Sequence, residues 1–348
     1  MTKKKIIVAP LNWGLGHATR SVPIIESLIE NRFTPIIASD DDSLQFLKKE
    51  FSSLETIQLP SYHIKYGKNL RWNLLLQTPK ILKAIKKEEQ VINNFINADD
   101  EVIGIISDNR FGVTSDKVKS VYITHQLQVL SGITTFFTSK IHQKFINKFD
   151  ECWIPDTLNS DFSGTLSQAK TIKIPKKYIG VLSRFKKETL TKEVDILIIL
   201  SGPEPNRSKL EYKLIEKFSN FKGTVVLVQG NIESQQKITE ENNITIFNYV
   251  LSSELEKLIN QSEIVVCRSG YSSIMDLAVL NKKAFFIPTK NQSEQEYLAK
   301  YMEERNLAPF CKEDDFSIEK LAEIKNYEGL KSEKTKFNSG LFSLFQRK

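Results

Sequence analysis

Ile264–Val265–Val266–Cys267–Arg268–Ser269–Gly270–Tyr271–Ser272–Ser273–Ile274–Met275–Asp276–Leu277–Ala278 is the stretch on which the fold turns. A short apolar run ends in Arg-Ser-Gly and passes directly into a helical pattern. The reading is a buried strand, a tight turn at Arg268, Ser269 and Gly270, and a helix with Ser272 in its first turn. The first amides of a helix have no intrahelical acceptor, and together with the helix dipole they suit a phosphate. Asp276 follows one to two turns in, where a carboxylate can accept hydrogen bonds from sugar hydroxyls. A second unit follows at once. Ala284–Phe285–Phe286–Ile287–Pro288 reads as the next strand, Thr289 to Glu296 as a polar loop, and Gln295–Glu296–Tyr297 as the entry to another helix. Both strand ends and both helix starts are expected to face one cleft.

The same grammar runs through the whole chain. In the first half, apolar runs at 5–9, 34–39, 54–59, 102–106, 118–124 and 151–154 alternate with helical segments. In the second half the runs are 195–200, 224–228, 244–247, 263–267 and 284–287. Strands alternating with helices argue for parallel, doubly wound sheets. The expected division is a first domain over 1–178, a polar and basic linker over 179–194, a second domain over 195–328 and a tail over 329–348. The tail carries Phe337, Leu341, Phe342 and Phe345 at near-helical spacing.

The 348 residues carry a net charge of +7, with 40% hydrophobic and 26% charged residues, an ordinary globular balance for two domains. No apolar run approaches the roughly 18–20 residues that span a bilayer. The apolar stretch after the basic start is too short for a signal peptide. Cys152, Cys267 and Cys311 show no metal spacing and suit a reducing, cytoplasmic setting. The positive balance permits an anionic partner, but no zinc-finger or RNP-like pattern supports nucleic acid, which is set aside.

The VVCRSG run, the acidic residue on its helix and the Pro-loop with Gln-acid-Tyr resemble the C-terminal half of the MurG-type UDP-N-acetylglucosamine transferases of the GT-B glycosyltransferases. The resemblance implies an α/β fold of two Rossmann-like domains facing a cleft. It implies a UDP-sugar donor, an inverting reaction, and no cofactor or metal. It also implies that Asp276 holds ribose, that Gln295 and Glu296 hold donor-sugar hydroxyls, and that the charge of Arg268 meets the departing UDP. The stretch Tyr249 to Leu251, with Val250 at its centre, lies where the family holds the uracil base by backbone contacts. Ser201–Gly202–Pro203–Glu204–Pro205–Asn206–Arg207 sits where the family has a glycine- and serine-rich loop near the diphosphate. Its prolines remove N–H donors and leave Ser201, Gly202 and Arg207 as the donor-binding residues. In many GT-B proteins the tail crosses back to the first domain, and the same is expected here.

Asn12–Trp13–Gly14–Leu15–Gly16–His17 joins the first strand to the first helix. GxGxxG is absent, which disfavours a dinucleotide. The loop is similar to the glycine-rich loop with histidine of MurG-type enzymes, which places Gly14 and Gly16 near the donor and His17 near the reacting centre. Ser107–Asp108–Asn109–Arg110 ends another strand, and His125–Gln126 ends the strand VYITH on the acceptor side, where the family's intervening Glu is missing. The acceptor's proton needs a base, for which His17 is the first choice and Asp108 the second. Asp40–Asp41–Asp42 is read as helix capping and dipole complementarity rather than a metal site.

Tyr62 to Lys87 carries seven Lys/Arg and no acidic residue, with Tyr62, Tyr66, Trp72 and Leu74–Leu76 interleaved. This pattern suits either a solvated basic helix or an anionic membrane interface. The resemblance favours the membrane, with a lipid-linked acceptor and a peripheral place on the inner face of the plasma membrane. Two other readings stand beside the transferase. One is a nucleotide-sugar hydrolase or epimerase on the same fold, which would release UDP from donor alone. The other is a non-catalytic glycan- or lipid-binding protein, which would bind UDP without turnover.

Overall fold

The structure is a computed structural model that describes residues 4–62, 70–128, 135–159, 161–168, 171–202, 204–335, 337 and 339–346, with backbone alone at 70–78 and 135–138. The chain divides into two compact units, one of residues 1–12, 17–182 and 335–348 and the other of 13–16 and 183–334.

The first unit is built on a seven-stranded parallel sheet of β1 (Lys5–Pro10), β2 (Thr34–Ser39), β3 (Thr56–Gln58), β4 (Val102–Asp108), β5 (Lys119–Ile123), β6 (Glu151–Ile154) and β7 (Lys176–Tyr178), in the order β3-β2-β1-β4-β5-β6-β7. Helices α1 (Gly16–Glu30), α2 (Asp41–Glu50), α3 (Leu70–Ala98) and α4 (Thr135–Ile146) connect the strands. The near-continuous apolar runs follow from burial of both sheet faces: Ile6, Ile7, Ile36, Ile105 and Ile106 have no exposed surface. Strand order reverses between β1 and β4, so the loops after those two strands flank the switch point where open α/β sheets hold ligands.

The second unit carries β8 (Val194–Ile199), β9 (Val225–Val228), β10 (Ile238–Glu241), β11 (Ile244–Phe247), β12 (Ser262–Cys267) and β13 (Ala284–Phe286), in the order β10-β11-β9-β8-β12-β13. Its helices are α5 (Asn206–Phe218), α6 (Ser252–Gln261), α7 (Tyr271–Val279) and α8 (Ser293–Glu304). Only β10 runs antiparallel, hairpinned to β11 through Asn242 and Asn243. Both asparagines are left-handed, at φ 49° and 61°, which matches the twist of a two-residue hairpin. Here the order reverses between β8 and β12, so the loops after Ile199 and Cys267 flank the second switch point.

Two strands were not expected from sequence. β10 reads Ile-Thr-Glu-Glu and is exposed throughout, so no apolar alternation marks it. β7 is a short edge strand with two lysines. The helix after β13 begins at Ser293 with Gln292 as its cap, two residues ahead of the expected entry, because the Gln292 side chain accepts from the Gln295 amide.

Residues from Thr335 onward belong to the first unit. Phe342 is fully buried, with its ring centroid 5.9 Å from Phe33 and 6.0 Å from Trp153. Phe345 fills the space above Gly104, where its ring leaves no room for a Cβ. Removing a buried phenyl ring costs about 3–5 kcal/mol, so Phe342→Ala is expected to lower the unfolding free energy of the first unit by that amount. Denaturant titration checks this, and a loss below about 1 kcal/mol would show that the tail is not part of the core.

Candidate active site

At the switch point of the first unit, three adjacent strands deliver three side chains. His17 stands in the first turn of α1, directly after the β1 loop. Asp108 is the last residue of β4, and His125 lies two residues beyond β5. His17 Nδ1 is 3.0 Å from Asp108 Oδ1. Arg20 lies one turn further along α1 and grips the same carboxylate. Its Nε donates to Oδ2 at 2.6 Å and its Nη2 to Oδ1. Nη2 is also 2.8 Å from His17 Nδ1, and Nη1 is 3.2 Å from His125 Nδ1. Arg20, Asp108 and His125 are all buried.

The electrostatics follow from that packing. Burial holds His17 below its ordinary value of 6.5; Asp108 pulls it up, while the neighbouring Arg20 pushes it further down. The imidazole is therefore neutral at physiological pH. Burial alone would raise Asp108, but the Arg20 guanidinium and the hydrogen bonds from Arg20 and His17 outweigh it and bring the carboxyl to about 2. The result is an ionised carboxylate beside a neutral histidine. Gln126 is half-buried, its amide bonded to Thr124 Oγ1 at 3.0 Å.

A second buried network lies beside this one. Arg110 pairs with Asp40 and with Glu88, and its Nε donates to the Pro10 carbonyl at 2.9 Å. Tyr62 donates to Glu88 Oε2 at 2.6 Å and places its ring 5.8 Å from the Arg110 guanidinium. These contacts correct two expectations. Asp40 makes no side-chain cap to α2, because its carboxylate neutralises Arg110; Asp41 and Asp42 alone stand in the first helical turn. Tyr62 is a core residue with 6% of its surface exposed, so it is not an interfacial anchor. Tyr66 and the side chains of Trp72 and Leu74–Leu76 lie outside the described residues. Lys80, Lys83, Lys86 and Lys87 are exposed along α3.

In the second unit the expected donor residues gather at the carboxyl ends of β8, β11, β12 and β13. Gly270 caps α7, whose first turn holds Ser272 and no acidic residue. A side chain at Gly270 would meet nothing closer than Ser273 Oγ at 3.9 Å, so this helix start is open to close approach. Ser269 Oγ donates to the Gln295 carbonyl at 2.8 Å, tying the β12 loop to α8. After β8, Ser201 and Gly202 are half-buried, and Gly202 takes φ +97°, a conformation that favours glycine. Gly14 takes φ +73°, and Gly16 opens α1. Pro203 lies outside the described residues. Val250 is buried just before α6.

Several of these side chains already have partners. Arg268 is 1% exposed, and its Nη1 donates to Glu313 Oε1 at 2.6 Å and to the Ile287 carbonyl at 3.0 Å. Its Nη2 donates to the Asn206 carbonyl at 3.1 Å. The guanidinium thus braces the base of the loop. Arg207 is held by Glu204 and the Gly230 carbonyl. Gln295 Oε1 accepts from the Thr289 amide at 2.8 Å, and Glu296 Oε1 accepts from the Asn291 amide at 3.0 Å. Asp276 Oδ1 accepts from Ser183 Oγ at 2.6 Å, and burial raises its carboxyl to about 6.

Arg20 was missed by sequence reasoning. The available signal was an arginine three residues after His17, on a helix face otherwise occupied by Ala18, Ser21, Val22, Ile24 and Ile25. A charge on such a face requires a buried counter-ion.

Comparison with known proteins bears on the fold and the family. The glycosyltransferase family 28 C-terminal domain matches residues 207–339. A protein from Buchnera aphidicola subsp. Schizaphis graminum is 24% identical over 94% of this chain and 90% of its own length. Its name is UDP-N-acetylglucosamine–N-acetylmuramyl-(pentapeptide) pyrophosphoryl-undecaprenol N-acetylglucosamine transferase. A protein of the same name from Sulfurihydrogenibium is 24% identical over 91% of this chain and 88% of its own. Among solved structures, MurG from Acinetobacter baumannii superposes with a TM-score of 0.53 at 12% identity, covering 94% of this chain and 92% of that one. The kitacinnamycin glycotransferase reaches 0.62 at 12% identity, covering 99% and 94%. The fold is that of the GT-B glycosyltransferases, and residues 207–339 match their family 28 C-terminal domain. Over about nine-tenths of its length the chain is similar in sequence to transferases of the MurG type.

The bracing role of Arg268 has a measurable consequence. Arg268→Met leaves Glu313 and two carbonyls without their donor, a loss of about 3 kcal/mol for a mostly buried pair. Thermal denaturation is expected to show this. Unchanged stability with a large loss of UDP affinity would put the charge back at the phosphate.

Proposed function

We propose that the chain transfers N-acetylglucosamine from UDP-N-acetylglucosamine to a lipid-linked acceptor, with inversion and without a metal. The donor and acceptor are argued from relatives that bear this activity in their names and align over about nine-tenths of their length. The observation that carries the chemistry is the neutral His17 imidazole backed by the ionised Asp108 carboxylate.

With Nδ1–H donating to Asp108, His17 Nε2 keeps its lone pair and takes the proton of the acceptor hydroxyl. The hydroxyl oxygen bonds to the anomeric carbon as the bond to the UDP oxygen breaks on the opposite side, which inverts the configuration. Asp108 is buried, paired and too weak a base at about 2 to take that proton itself, so its part is to orient and stabilise the imidazolium. The negative charge that develops on UDP is met by the first amides of α7, preorganised and free of competing carboxylates. This stabilisation needs no metal. Ser269, Gly270, Ser272, Ser201, Gly202, Gly14 and Gly16 surround the diphosphate in this reading, with Arg207 behind them. Val250 offers backbone to the base, Asp276 holds ribose through the oxygen not bonded to Ser183, and Gln295 and Glu296 face the sugar. His125 and Gln126 belong to the acceptor side.

No helix among the described residues is long and apolar enough to cross a membrane. The exposed Lys80, Lys83, Lys86 and Lys87, with Leu82 half exposed among them, support docking of the first unit on an anionic lipid surface at the inner face of the plasma membrane. Each lysine near such a surface contributes about 1 kcal/mol. Sedimentation with anionic vesicles is expected to fall as salt rises and on changing the four lysines to Gln. Equal recovery on neutral vesicles would count against docking.

The transfer itself is tested with UDP-N-acetylglucosamine and a crude bacterial lipid extract. His17→Ala is expected to lower kcat by about 10²–10⁴ while UDP affinity is retained. Because His17 titrates below 6.5, the wild-type rate should hold through neutral pH and fall on the acid side of that value. A His17→Ala enzyme with near-normal turnover would remove the histidine from the mechanism.

A further inference from the structure

Arg20 is not accounted for by the chemistry above, yet its guanidinium touches all three side chains at the switch point of the first unit. Two of its nitrogens grip the two oxygens of Asp108, with Nε at 2.6 Å. Nη2 is 2.8 Å from His17 Nδ1 and Nη1 is 3.2 Å from His125 Nδ1. The contrast with Arg110 is informative. That arginine reaches a backbone carbonyl and two carboxylates away from the histidines, which is sufficient for a structural brace. Arg20 spends the contacts described above on the groups that exchange or steer the proton.

The geometry of His17 Nδ1 sets a choice. This nitrogen lies within bonding distance of an acceptor, Asp108 Oδ1, and of a donor, Arg20 Nη2. If it carries the proton, it donates to Asp108 and Nε2 is free to act as a base. If it accepts from Arg20, the proton moves to Nε2 and the base is lost. Arg20 already saturates on the carboxylate through a bidentate pair, the stronger of its two options. That pair fixes the carboxylate plane so that Oδ1 faces Nδ1, and it places a permanent positive charge beside the ring. The charged and titratable groups facing His17 are Asp108 from β4, Arg20 from α1 and His125 from beyond β5.

We propose that Arg20 is a positioning residue for the transfer: it orients Asp108 toward His17 Nδ1 and keeps the His17 ring neutral with its Nε2 lone pair open. The proposal rests on His17 as the base, but its test does not depend on knowing the acceptor. Histidine nitrogens are followed by NMR in the isotopically labelled full chain, in the wild type and in Arg20→Met and Arg20→Lys. The wild type should show the Nδ1–H tautomer and a midpoint below 6.5. Losing the like charge within contact distance should raise the His17 midpoint by about one pH unit in Arg20→Met, with Arg20→Lys in between. Where turnover is measurable, the acid limb should move by the same amount, and kcat should fall about ten- to a hundredfold with little change in donor KM. A purely structural arginine would lower stability and leave midpoint and tautomer where they are. Should Arg20→Met fail to fold, Arg20→Lys alone decides. An unmoved His17 midpoint and an unchanged tautomer in that variant would overturn the proposal. A shifted midpoint in a protein that transfers nothing to any lipid would uphold the arginine's role and fault the acceptor assignment instead.

Discussion

The ion pair between Arg20 and Asp108 is the contact on which the first unit's site depends. Asp108 has 1% of its surface exposed, at the end of a strand whose other residues are almost all apolar. A carboxylate so placed would take up a proton unless a fixed cation lay against it. That cation comes from α1, which starts from the loop of the neighbouring strand. The pair therefore fastens helix to strand across the reversal in strand order, and both of its members act on the His17 ring. The adjacent Arg110 pairs with Asp40 and Glu88, but there burial prevails and raises the Glu88 carboxyl to about 8, with Tyr62 and the Gly112 amide donating to it.

The two units solve different electrostatic problems by different means. In the proposed reaction the first handles a proton, with buried charged side chains. The second would face an anion, and it offers backbone: a helix start without acidic residues, an open Gly270 and a turn after β8 that favours glycine at 202. Side chains in the second unit mainly hold that backbone in place. Arg268 ties the β12 loop to Glu313 and two carbonyls; Gln295 and Glu296 each bond an amide of the loop that precedes them. Preorganised dipoles need no rearrangement as charge develops, which is the advantage of building an anion site this way.

The architecture was legible because buried parallel strands announce themselves as apolar runs, each followed by a turn and a helical pattern. What was not legible has specific physical causes. β10 is exposed and acidic, so nothing in its pattern distinguishes it from a loop. Tyr62 looked interfacial because its sequence neighbours are basic; its actual neighbour, Glu88, lies 26 residues away. Arg268 looked like a ligand-facing charge because it abuts the turn, and only the position of Glu313, 45 residues on, shows where the guanidinium goes. His17 and Asp108 could each be picked as a candidate, but their 3.0 Å approach and the arginine between them are properties of the sheet order, which links residues 91 apart in sequence. Local pattern reports faces and turns; it does not report which buried charge meets which.

The placement of the final residues also bears on how the protein comes to exist. The first unit opens with the first strand and closes with Phe342 and Phe345, which seat against Phe33, Trp153 and Gly104. On the ribosome, that unit waits for residues 342 and 345 to emerge before its hydrophobic interior is sealed, whereas the second unit has its sequence in hand by residue 334. Until then, Trp153 lacks the two phenyl rings that pack against it. The chain's N-terminal half is thus the later of the two to mature, and truncated products lacking the tail expose a sticky surface to chaperones and proteases.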